Sequence, residues 1–93
     1  MTKDTYKFIT QESPYYDTYI LLKRNRKVAG VIYSTDTDNS YYADKPFAYY
    51  IGKPSDRTHL VHYGNTIEEC KKNLLETIKS FYNILQPNTT IVL

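Results

Sequence analysis

One capping box followed by one long apolar stripe constrains this chain more than any other feature. In Thr66-Ile67-Glu68-Glu69 the threonine hydroxyl can accept from the third helical N–H, while Glu69 can reach back to the cap. Behind it Ile67, Cys70, Leu74, Ile78, Phe81 and Leu85 recur at three- and four-residue intervals, and Glu68, Lys72, Glu76, Lys79 and Asn83 fall largely off that stripe. The spacing predicts a helix that begins at Thr66 and lies on a sheet with one face. Pro87 disfavours helical geometry in the residue before it, which places the end near Leu85.

What precedes the helix reads as strand. Tyr6-Lys7-Phe8-Ile9-Thr10 is a short β-prone run ended by Ser13-Pro14. Tyr19 to Arg24 and Val28 to Tyr33 are two apolar, β-branched-rich runs joined by a charged tip containing Asn25, the pattern of a hairpin, and Gly30 in the second arm signals a bulge or a close approach. Residues 34 to 46 turn polar and lose apolar periodicity, a loop projecting from the sheet. Phe47 to Gly52 and Thr58 to Tyr63, separated by Lys53-Pro54-Ser55-Asp56-Arg57, make a second hairpin, and Thr89 to Leu93 is a final strand after the helix. The expected fold is therefore α+β: an antiparallel sheet of four to five strands, built from two hairpins, packed on one long C-terminal helix and followed by a short last strand.

With 93 residues the chain is the size of one domain, spanning 1–93. Net charge is +2, from twelve basic and ten acidic residues, too balanced for a protein whose affinity comes from neutralising many phosphates. The single cysteine excludes an internal disulfide framework and suits a reducing compartment. Neither a secretion signal nor a run of membrane-spanning length is evident, so a cytoplasmic protein without membrane contact is expected. The unusual component is aromatic: eleven Tyr and three Phe with no Trp. Rings that carry a hydroxyl suit half-buried sheet faces and contact surfaces. Adjacent strand residues point to opposite faces, so one of Tyr49 and Tyr50 is expected under the helix and the other on the face the helix leaves open. Tyr41 and Tyr42, in the polar loop, are either contact anchors or rings folded back over the sheet.

Several patterns suggest chemistry and then fall short of it. Asp36-Thr37-Asp38-Asn39-Ser40 starts like a calcium loop, but Tyr41 takes the position of the required glycine and Phe47 that of the bidentate glutamate. His59 and His62 are three apart in a predicted strand and point to opposite faces, so the two imidazoles do not converge on a metal; a small nuclease in which one of them works with Arg57 or a lysine on phosphate is a third reading, for which the sequence displays no acid–base partner. Cys70 lies on the apolar stripe, the place of a buried small hydrophobe. No cofactor or metal is called for, and a non-enzyme is expected. Lys23-Arg24-Asn25-Arg26-Lys27 concentrates four cations at a hairpin tip, either to grip an anionic partner or to discourage edge-to-edge pairing.

The stretch from Phe47 to Tyr82 resembles the core of HicB-type antitoxins, through Tyr49-Tyr50-Ile51 in a strand, Gly64-Asn65-Thr66 at the junction and Ile67-Glu68-Glu69-Cys70 opening the helix. The resemblance implies a βββαβ-like fold that binds and blocks a partner protein. Operator binding is not implied, because the stretch after the helix is too short for the DNA-binding domain that many such antitoxins carry. The chain is also similar to the small three-strand-plus-helix DNA-binding modules of some tyrosine recombinases, which are more basic. In its general style it resembles the accessory and inhibitor proteins of phages and mobile elements.

Together these readings predict a binding protein that inhibits or neutralises a macromolecular partner, a protein in the first place. Its contact surface would combine Tyr41, Tyr42 and the exposed member of Tyr49 and Tyr50 with the Arg24, Arg26 and Lys27 tip. The alternative is a single-stranded nucleic acid or RNA-binding module that uses the same residues. Two copies pairing through the last strand would form a homodimer.

Overall fold

A computed structural model describes residues 3–12, 18–53, 61–85 and 90–92, with the side chains of 3, 4, 81–85 and 90–92 excepted. Among the described residues six strands, β1 (Lys3–Thr10), β2 (Tyr19–Arg24), β3 (Lys27–Ser34), β4 (Phe47–Ile51), β5 (His62–Gly64) and β6 (Thr90–Val92), join one α-helix, α1 (Ile67–Leu85). The sheet order is β5-β4-β3-β2-β1-β6. β1 to β5 form an antiparallel meander, and α1 packs on one of its faces, as the sequence predicts. β6 departs from that pattern and pairs parallel with β1. The reason is the crossover: the helix carries the chain from β5 at one edge to β6 at the other, and a strand reached through a returning helix resumes the direction of the strand it left.

The start of α1 follows the capping logic with one change. The Glu69 N–H donates to Thr66 Oγ1 at 3.1 Å, but the Glu69 carboxylate accepts from the N–H of Asn65, 3.0 Å away, one residue ahead of the cap. The junction from β5 is thereby tied to the first turn of the helix. The apolar stripe then does what its period requires: Cys70, Leu74 and Ile78 are buried against Tyr6, Ile20, Leu22, Ile32 and Tyr49. Phe81 and Leu85 of that stripe lie outside the described side chains, as do Arg57 and His59.

Gly30 meets both expectations attached to it. Leu22 pairs with Gly30 and Lys23 with Val28, which leaves Ala29 as the extra residue of a bulge. A β-carbon on Gly30 would stand 2.9 Å from a Leu74 methyl, so the helix approaches β3 as closely as a bare backbone permits. At the β2–β3 tip Asn25 takes φ 56°. It exchanges hydrogen bonds with Thr5, its backbone N–H donating to the Thr5 carbonyl at 2.7 Å and its Oδ1 accepting from the Thr5 N–H at 3.1 Å. Asparagine tolerates the left-handed region, and here that conformation pins the tip to β1.

Candidate functional site

Cross-strand register decides what stands on the face turned away from the helix. Paired residues share a face, so the row Tyr19–Tyr33–Ala48–Tyr63 lies beside the row Ile9–Leu21–Val31–Tyr50, with Lys7 opposite Lys23 in the next. Leu21, Val31 and Ala48 are buried there, and the four tyrosines around them are half-buried. The Tyr33 and Tyr50 rings meet edge to face at 6.1 Å. Tyr49 and Tyr50 divide as expected: Tyr49 is 7% exposed in the helix-side core, and Tyr50 stands on the tyrosine face.

The polar segment between β3 and β4 does not project as predicted. It folds back over this face, because short side chains satisfy its backbone and close its neck. The Asp38 N–H donates to Asp36 Oδ1 at 3.1 Å and the Asn39 N–H to the Asp36 carbonyl at 3.1 Å, so Asp36 of the calcium-like run serves its own turn. Asn39 then caps a short 3-10 turn, Ser40–Tyr42, accepting from the Tyr41 N–H at 2.9 Å through its side chain and from the Tyr42 N–H at 3.0 Å through its carbonyl. At the neck the Thr35 N–H donates to the Pro46 carbonyl at 3.0 Å, and the Thr35 hydroxyl donates to the Lys45 carbonyl.

That brace presents two rings differently. Tyr42 turns inward and meets Tyr63 of β5 at 6.0 Å between centroids, while Tyr41, set edge-on to Tyr42 at 4.8 Å, is 59% exposed. The Lys45 ammonium sits 4.0 Å from the Tyr41 centroid and 5.2 Å from that of Tyr63. Burial raises the Tyr63 pKa above the ordinary phenol range, and the adjacent Tyr42 and Tyr41 hydroxyls raise it further.

The predicted contact residues thus separate into two places. Arg24, Arg26 and Lys27 are at the β2–β3 tip, whereas Tyr41 and Tyr42 are at the far end of β3, whose eight residues span about 23 Å. The two groups stand about a strand length apart, because the hairpin tip and the β3–β4 loop leave opposite ends of the same strand. Sequence reading missed Tyr63 and Lys45 as members of the aromatic group. The Tyr63 side chain could have been placed by following the alternation back from Gly64, but its meeting with Tyr42 depends on the loop closure.

The groups considered for catalysis have other surroundings. His62 stacks on Tyr49, with ring centroids 5.5 Å apart and planes 25° from parallel. Cys70 is fully buried, and burial pushes its thiol up to about 11, with the Glu69 carboxylate acting the same way. Among the described residues no cluster of three His, Cys, Asp or Glu side chains comes together to hold a metal, and no helix is long and apolar enough to cross a membrane. Comparison with protein-family models, with curated proteins and with solved structures finds no match.

Proposed function

We propose that this chain is a small, non-catalytic binding protein of the cytosol that inhibits or neutralises a macromolecular partner: a host, defence or toxin protein, in the manner of a phage accessory protein or a HicB-type antitoxin. The observation that carries this reading is Tyr41, a large ring left 59% exposed on a turn whose backbone is held by Asp36, Asn39 and Thr35. A rigid amphipathic ring presented without an ordering cost is the usual material of an interface anchor. The strand–strand–helix–strand order of β4, β5, α1 and β6 supports the likeness to HicB-type antitoxins. Affinity capture from bacterial lysate, with and without nuclease, tests the reading. A protein retained after nuclease by the wild type and lost with Tyr41→Ala, Tyr42→Ala is the expected result; recovery of nucleic acid alone overturns it.

One observation favours the second reading, a single-stranded nucleic acid module. Lys7 and Lys23 face each other across β1 and β2 on the tyrosine side, and among the described residues no ion pair neutralises either of them. Phosphate binding there would weaken steeply with salt, whereas an aromatic protein contact would weaken little. A second copy adding at β6, the last strand on its side of the sheet, would extend the sheet. Sedimentation at rising concentration tests that pairing.

A further inference from the structure

We infer that Tyr41, Tyr42 and Tyr63 form an aromatic cage for a cationic side chain of the partner protein, and that Lys45 occupies this cage in the free chain. The inference rests on the protein-binding reading above and names the chemistry of its contact.

Three features carry it. First, the Lys45 ammonium lies over two ring faces, at 4.0 Å from Tyr41 and 5.2 Å from Tyr63, both within the range in which the ring quadrupole attracts a cation. Second, Tyr42 touches both of those rings, at 4.8 and 6.0 Å, and so sets the gap between them from a turn whose backbone is already fixed. Third, among the described residues no carboxylate pairs with Lys45, so its charge is met by ring faces.

The occupant is also replaceable. Lys45 is held through its main chain, its N–H donating to the Tyr42 carbonyl at 2.9 Å and its carbonyl accepting from the Thr35 hydroxyl. The side chain can therefore leave while the loop keeps its shape. An exposed cation–π contact is weak, and the same contact with a cation desolvated at an interface is stronger. A lysine or arginine brought by a partner would displace Lys45 for that reason.

The probe is choline, titrated into the full chain at constant ionic strength and followed by NMR at the tyrosine rings, with 3,3-dimethylbutan-1-ol as its neutral isostere. Choline is expected to shift the Tyr41, Tyr42 and Tyr63 resonances saturably and the isostere to leave them unmoved. Lys45→Ala, which removes the internal competitor, should tighten choline binding about three-fold. Tyr41→Leu and Tyr63→Leu should each abolish it; Tyr41 is exposed, so its variant decides the matter even if Tyr63→Leu does not fold. Equal shifts from the isostere, no choline response in Lys45→Ala, or weaker binding in that variant would overturn the cage. Capture of a partner by a chain whose rings ignore choline removes the cage and leaves the inhibitor reading standing. Rings that bind choline in a chain that captures no protein leave a cation-binding cage but overturn the inhibitor reading, and with it a partner's side chain as the occupant.

Discussion

Gly64 and Cys70 meet at the seam between β5 and α1, where a β-carbon on Gly64 would stand 2.6 Å from the cysteine sulfur. Real side chains do not approach so closely, so Gly64→Ala must push β5 off the first turn of the helix or force the thiol aside. Overpacking of this kind costs roughly 1–3 kcal/mol, to be read from urea unfolding. Adding Cys70→Ala should recover part of the loss; a double variant no more stable than Gly64→Ala alone would show that the contact is not the cause.

Cys70 makes the fold sensitive to alkali. Its thiol titrates at about 11 when folded, against an ordinary value of 9.0. The folded state therefore keeps a proton that the unfolded state releases, so the contribution is complete below pH 9 and is lost as pH rises toward 11. Burial raises the Tyr49 and Tyr63 pKa values too, and both act in the same direction. Urea midpoints should fall over this window, and Cys70→Ala should flatten the fall without removing it.

The two loop tyrosines should differ in their effect on stability. Tyr41 is exposed, and Tyr41→Ala should change unfolding by no more than about 0.5 kcal/mol. Tyr42 packs on Tyr63, and Tyr42→Ala should cost about 1 kcal/mol and move the Tyr63 ring signal. Equal costs by thermal unfolding would contradict the fold-back of the loop.

Lys7→Glu should stabilise the chain. Lys7 pairs directly with Lys23, and like charges facing each other across strands destabilise a sheet by a few tenths to about 1 kcal/mol. The gain should shrink in high salt, because screening acts on exposed charges. No gain at low ionic strength would mean that the two ammonium groups splay apart.

Much of this architecture could be read from residues close together in the chain. Thr66 and Glu69 marked the helix start, Pro87 its end, and Asn25 the turn between β2 and β3. The alternation at Tyr49 and Tyr50 is enough to sort those rings to opposite faces. Local signals end at the loop. Asp36 and Asn39 are ordinary turn formers, and nothing near them in the sequence says that the turn folds back onto β5 rather than standing clear of the sheet.

By itself, then, the sequence determined the α+β class, the bounds of α1 and the expectation of a sheet face left to tyrosine, because helical and strand periods are written within a few residues. Only the tertiary structure decided that Tyr63 meets Tyr42, that Lys45 lies over their group, that Lys7 faces Lys23 and that β6 runs parallel beside β1. Each of these joins segments whose pairing is set by register and by loop closure. The separation of the cationic tip from Tyr41 has the same origin: they leave opposite ends of β3, and the length of a strand keeps them apart.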